Sequence, residues 1–446
     1  MFLPMNLAED SSLNMKEIKV RKIILAGNEV TQEDVIMREI QTRENSRLSE
    51  IVLFEDVQRL KNLGLFNKVD VYPVPTDSLN QIDLMFIFEE SFYFIPLPQG
   101  GFRNGQLSQF WAGLNLIWRN FRGRNETLNA SFGIGADPFA GFSYSVPWIG
   151  EDAHFFSSFS IRYSKNKNKS LSTVNSTGNE IPDADENYNL YNFKTSFTLG
   201  KFTDRHFSFT GNVTYNSIVT SKYEPGRTVS GDGKDRFFEA SFNGGYDTRD
   251  DYNFTTNGTL ILLSYTKEGF GQLIDFNRVE LDARQFIPLK LSKDYGISFG
   301  FSAIASVAFG GQVPSYMQEF FGYDKVIRGH KKLVYEGDNR LGFFNEVRLP
   351  VIRERHFAGT SIPGVNLISA LKKMNYRFAM YATLFFDIGT VWNKSDLFAD
   401  SKFHNGFGAG LDFILPFGLV GRTDYAFRIE GKRFVPQVIF DLNAAF

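Results

Sequence analysis

From about Ser91 to the C-terminus the chain is written in a two-residue period, and this feature restricts its fold more than any other. In 206–216, Phe207, Phe209, Gly211, Val213 and Tyr215 fall on one face of a strand. His206, Ser208, Thr210, Asn212, Thr214 and Asn216 fall on the other. In 381–388, Ala382, Leu384, Phe386 and Ile388 oppose Thr383, Phe385 and Asp387. The last strand sets Val438, Phe440, Leu442, Ala444 and Phe446 against Ile439, Asp441, Asn443 and Ala445. Composition agrees with alternation. Aromatic residues reach 16%, with 48 Phe, yet mean hydropathy is negative. No run nears the ~18 consecutive apolar residues of a membrane helix. The best candidate, Gly296 to Gly311, is cut by Ser298, Ser302 and Ser306.

The pattern predicts sixteen strands, near 92–98, 109–119, 125–136, 139–147, 154–165, 188–200, 206–219, 236–247, 258–266, 275–288, 296–309, 341–351, 376–388, 406–415, 419–429 and 435–446. Most are about ten residues or longer with one apolar face, as membrane barrels require, whereas soluble sandwiches use strands of ~5–6 residues. Connections alternate in length. The long ones (165–188, 219–236, 309–341, 388–406) share one side, and short turns such as 119–125, 147–154, 200–206 and 415–419 share the other, with 351–376 the exception. Hydrocarbon offers no hydrogen bonds, so a spanning sheet must close on itself. The expected fold is therefore an all-β transmembrane barrel of sixteen antiparallel strands over 91–446. Trp111, Trp118, Trp148 and Trp392 are candidates for its interfacial aromatic belt.

Residues 15–90 have a different texture, that of a small α+β module of order β-α-α-β-β. Ile18, Val20, Ile23 and Leu25 predict a strand ended by Gly27-Asn28. Thr31 with Asp34 reads as a capping pair, and Ser49 opens a second helix closed near Gly64. Strands follow at 66–74 and 81–89, separated by a turn marked by Pro73, Pro75 and Asp77. Residues 1–14 read as an N-terminal extension without the basic and apolar regions of a signal peptide.

Several chemistries are unfavourable. Cysteine is absent, which removes disulfides, thiolate metal sites and thiol nucleophiles. Five scattered His make a metal enzyme improbable, so no cofactor is expected, and 48 basic against 50 acidic residues leave no nucleic-acid footprint. Gly296-Ile297-Ser298-Phe299-Gly300 spells a nucleophile-elbow motif, but it lies within an alternating strand rather than a strand-to-helix turn. Asp247, Asp250 and Asp251 lack calcium-loop spacing and read as a solvated turn. No catalytic role is expected.

Five motifs, in order, carry a family resemblance. They are Gly27-Asn28 with 60–69 (Leu-Lys-Asn-Leu-Gly-Leu-Phe-Asn-Lys-Val), then Tyr246-Asp247-Thr248-Arg249-Asp250 with Gly258. Next come Phe320-Phe321-Gly322 with Ile327-Arg328-Gly329-His330, Phe385-Phe386-Asp387-Ile388-Gly389 with Val391-Trp392, and the terminal Phe446. The chain resembles the outer-membrane assembly factors of the BamA and TamA type and the two-partner secretion transporters, which join polypeptide-transport-associated (POTRA) domains to a surface-antigen barrel of about sixteen strands. It departs from them at His330, where Phe or Tyr is usual, and in carrying a single POTRA.

The resemblance implies that the chain inserts barrel proteins into an outer membrane or passes polypeptides across it, with the POTRA domain in the periplasm. Its partners would be unfolded clients, the lipid bilayer and accessory periplasmic or lipoprotein subunits. Dedicated secretion of one partner, or passive diffusion, is the alternative. The resemblance also implies that the sixth loop folds into the barrel and pairs its Arg with wall carboxylates. By alternation Glu346 and Asp387 face the lumen, so Arg328, with Gly329, is expected to bridge them as a register lock. The strand bearing Phe66, Val69 and Val71 is the candidate client-binding edge, by β-augmentation. Phe440, Leu442 and Phe446 mark an insertion signal at a seam with the proline-interrupted first strand, Pro96 and Pro98.

Overall fold

A computed structural model of the chain describes residues 18–78, 80–102, 110–150, 154–173, 188–204, 206–271, 273–292, 295–323, 325–331, 333–361, 375–415 and 419–442. The first elements are β1 (Lys19–Ala26), α1 (Glu33–Met37), α2 (Glu50–Asn62), β2 (Phe66–Pro75) and β3 (Gln81–Glu90). β3 is central, parallel to β1 and antiparallel to β2. Both helices lie over a core of Val20, Ile36, Ile40, Leu60, Leu84 and Phe86. A register shift between Val20 and Lys22 brings Val20 and Ile23 to the same core despite their odd spacing. Ser49 caps α2, its hydroxyl accepting from the Val52 N–H, and Gly64 takes the left-handed conformation (φ 68°) just past it.

The expected Thr31–Asp34 capping pair does not form. Gln32 is the N-cap of α1 and makes no side-chain cap. Thr31 is drawn away because a carboxylate at the end of β3 outcompetes a helix end. Its hydroxyl donates to Glu90 Oε1 (2.5 Å) and accepts from Asn120 Nδ2 (2.8 Å).

The remaining strands are β4 (Phe94–Phe102), β5 (Phe110–Phe121), β6 (Glu126–Gly135), β7 (Phe139–Ile149), β8 (Phe155–Lys167) and β9 (Asn189–Phe202). Then come β10 (Phe207–Thr220), β11 (Lys234–Asp247), β12 (Gly258–Glu268), β13 (Phe276–Lys290) and β14 (Gly296–Gly310). A hairpin, β15 (Glu319–Phe321) and β16 (Tyr335–Gly337), precedes β17 (Asn339–Ala358), β18 (Asn375–Trp392), β19 (His404–Ile414), β20 (Val420–Glu430) and β21 (Arg433–Leu442). Apart from β15 and β16 these strands form one sheet of sixteen, in sequence order from β4 to β21. Part of the exceptional connection 351–376 is strand, since β17 continues as far as Ala358.

The sheet is inside-out relative to a soluble protein. Val213, Phe242, Leu263 and Leu384 are more than half exposed, while Thr214, Ser306, Asp387, Asp412 and Asp424 are buried. Exposed apolar and buried polar residues on opposite faces of one sheet suit hydrocarbon outside and water or polar groups inside.

The chain divides into two compact units between Ile161 and Arg162, inside β8. The division falls beyond the α+β module because the β5–β6 turn is fastened to that module. Besides Asn120 on Thr31, Gln32 N–H donates to the Gly123 carbonyl (2.9 Å) and Gln32 Nε2 to the Arg122 carbonyl (3.0 Å). Trp148, a belt candidate, also stands here, under the Arg38 guanidinium at 5.0 Å.

Candidate functional site

The loop between β14 and β17 folds back against the polar face of the second unit, held first by the β15–β16 hairpin. Arg278 Nη1 and Arg340 Nη2 pair with Glu319 (2.7 and 2.9 Å), fixing one hairpin strand to β13 and β17. Phe321 then lies over Gly342 and Gly389, where a Cβ would stand 2.8 Å from its ring. Two glycines in facing positions let the wall accept an aromatic ring.

Past Phe321 the chain delivers Arg328, which is 6% exposed. Its backbone N–H, Nε and Nη2 donate to Asp387 at 3.0, 2.7 and 2.6 Å, and Nη1 donates to Glu346 at 2.8 Å. The guanidinium also stacks 3.8 Å from the Phe385 ring centroid. The geometry is bidentate toward Asp387, the strong form of Arg recognition. Gly329 follows at φ 94°, with a Cβ position only 2.9 Å from the Phe427 carbonyl, so another side chain would be strained and crowded. At Gly406 a Cβ would strike the Arg328 carbonyl oxygen, so this wall residue admits the tip's backbone.

His330 takes a place the resemblance gives to Phe or Tyr. Nε2–H donates to the Asn405 carbonyl (2.9 Å) and Nδ1 accepts from Tyr335 OH (2.7 Å). Burial lowers the imidazole pKa, which matches a neutral ring with one donor and one acceptor. Lys331 extends the tip to the last strand, its N–H donating to Gln437 Oε1 (2.9 Å) and Nζ to the Phe440 carbonyl (2.6 Å).

Sequence reading did not find the rest of the network. Arg348 Nε donates to Glu346 (2.7 Å), and its Nη1 donates to the Thr255 carbonyl in the β11–β12 turn. Arg422 pairs with Asp412 (3.0 Å) and, at 3.5 Å, with Glu346. The turn expected to be solvated is so only in part, with Asp250, Tyr252 and Asn253 exposed and Phe254 buried. Phe254 is 3% exposed, packs on Ala379, Ile414 and Val420, and lies 4.2 Å under the Arg348 guanidinium. Asp251 is consumed by the N–H groups of Asn253 and Phe254 and by Arg377. Alternation marks Arg348, Asp412, Arg422 and Asp424 as inward-facing, but nothing in their spacing reveals that they converge.

The other expected site residues are placed as follows. β2 is an edge strand, paired only with β3 among the described residues. The side chains named for it do not offer themselves to a client, because Phe66 (7%) and Val69 (3%) are core and Val71 packs on the core. Phe440 is 68% exposed on the apolar face. Leu442 ends β21 beside Gly421, and Phe446 lies outside the described residues. Ser298 sits within continuous β14, opposite Pro288 and Arg348, with no elbow.

Sixteen antiparallel strands with a polar inner face, an α+β module ahead of them and an arginine-tipped loop on the wall define the class: an outer-membrane-type β-barrel protein with one POTRA-like domain. Residues 120–443 match the Omp85 superfamily domain, and residues 18–91 match the POTRA model described as surface antigen variable number repeat. The chain belongs to the Omp85 superfamily. It is similar in fold to BamA from Haemophilus ducreyi lacking POTRA domains 1–3 (TM-score 0.65, 19% identity, 95% of this chain and 84% of that one). It is also similar to CdiB from Escherichia coli (TM-score 0.63, 14% identity, 95% and 75%). Outer envelope protein 80, chloroplastic, of Arabidopsis thaliana is 26% identical over 147 residues, 30% of this chain and 19% of that protein. The chain thus matches about a fifth of that relative's length.

Proposed function

We propose that the protein inserts β-barrel proteins into an outer membrane or passes polypeptides across it, with residues 15–90 as a periplasmic client-binding domain and 91–446 as the barrel. The observation that carries this reading is the buried Arg328–Asp387–Glu346 network, which holds a long loop against the inner wall and extends through Lys331 to β21. A buried ion pair adds little net stability, yet loss of one partner costs about 3–5 kcal/mol, so it acts as a register lock. In this reading Arg328, Gly329, Glu346 and Asp387 set the loop, and the loop tip steadies the last strand. Prolines in the two terminal strands of the order, Pro96 and Pro98 in β4 and Pro436 in β21, remove ladder donors from those strands. Clients would add to the backbone edge of β2, whose hydrogen bonds make little demand on sequence.

Likeness in fold to CdiB supports a second reading, dedicated secretion of one exported partner. The loop lying along the wall argues against a wide passive pore. Depleting the protein and profiling the outer-membrane proteome separates these readings. Loss of many barrel proteins fits assembly, loss of one secreted protein fits the second reading, and an unchanged profile with altered solute uptake would leave only a diffusion channel.

A further inference from the structure

The network beside the loop tip is unbalanced. Glu346, Asp387, Asp412 and Asp424 are carboxylates, while Arg328, Arg348 and Arg422 supply the cations, leaving one negative charge in excess among side chains that are nearly all buried. Burying an uncompensated charge is expensive, and it normally attracts a proton or an ion. The excess has a location. Asp424 is 1% exposed and neither of its carboxylate oxygens has a hydrogen-bond partner.

Two more unpartnered oxygens belong to the same patch, Asp412 Oδ2 (residue 0% exposed) and Thr383 Oγ1 (residue 1% exposed). Register explains why they meet. Thr383 pairs with Gly410 and Gly410 with Asp424, so these three stand side by side on β18, β19 and β20, with Asp412 two residues along on the same face. The missing side chain at Gly410 lets the Asp424 carboxylate lie over it, toward Thr383. A Cβ there would collide with Asp424 Oδ1 and stand 3.0 Å from Thr383 Oγ1. Asp424 Oδ1 and Thr383 Oγ1 thus both stand close over Gly410 without bonding each other.

We propose that Asp424, Asp412 and Thr383 bind a monovalent alkali cation of the sodium class on the inner wall, adjoining the Arg328 network. A hard cation takes oxygen donors of this kind. A proton on Asp424 would neutralise the charge but supply one donor, leaving the other oxygens unsatisfied, whereas one ion serves several at once. Charge selects the valence, because a single positive charge balances the cluster and a divalent ion would invert the excess.

The test uses the full chain in detergent. Crystals grown with thallium(I) in place of sodium should show an anomalous peak bounded by Asp424, Asp412 and Thr383. Thermal unfolding in sodium chloride, compared with N-methylglucamine chloride at equal ionic strength, should show a midpoint a few degrees higher for the wild type. Asp424→Asn should lose both the peak and the difference between salts, and Thr383→Val should need several-fold more sodium for the same shift. Absence of the peak, identical midpoints in the two salts for the wild type, or a sodium effect that persists in Asp424→Asn would each overturn the proposal.

Discussion

Gly406 and Gly211 look alike in sequence, two glycines in alternating strands, yet space around them differs completely. A Cβ at Gly406 collides with the Arg328 carbonyl, while a Cβ at Gly211 meets nothing within 4 Å. Gly406→Ala is therefore expected to push the tip off the wall at a cost of about 1–3 kcal/mol, the range for overpacking. Gly211→Ala should behave as wild type. Protease sensitivity of the loop between Phe321 and Tyr335 measures the difference. Equal protection in both variants would show that the tip does not depend on close approach at residue 406. The arginine and its two carboxylates were legible from motif and parity; the glycines were not, because which strand position faces the tip is a tertiary fact.

At the scale of elements, the β5–β6 turn and the α+β module form one fastening. Asn120 is 1% exposed, donates to Thr31 Oγ1 and accepts from the Asn125 N–H at 2.8 Å. Asn120→Ala strands buried polar groups, a loss of about 1–3 kcal/mol. Limited proteolysis near Ser91 should then release the module faster than from wild type, and unchanged cleavage would count against the fastening. The strands and helices themselves were readable, since periodicity and turn residues act locally. The Thr31–Asp34 cap yields because the competing partner, Glu90, lies 59 residues away in sequence, beyond the reach of a local rule.

At the scale of the whole molecule, Glu346 is where three arginines meet, two of them tying it to distant segments. Arg328 reaches it from the long loop, and Arg348 links it to the Thr255 carbonyl in the opposite-side turn. Glu346→Gln is expected to loosen both loop and turn, and Arg328→Ala the loop alone. In planar bilayers Glu346→Gln should give more frequent and longer openings than Arg328→Ala, which should in turn exceed wild type. Equal records from all three would mean that the network does not govern occlusion.

The alternation from residue 91 determined by itself that the chain makes long two-faced strands, how many, and which side chains turn inward, because in a strand direction follows from counting by two. Where the inward groups meet was decided only by register and by the return of a long loop. Contacts such as Ser170 on Glu336, 166 residues apart, or Arg348 on the turn at Thr255, depend on closure of the chain in space, and no local rule encodes that closure.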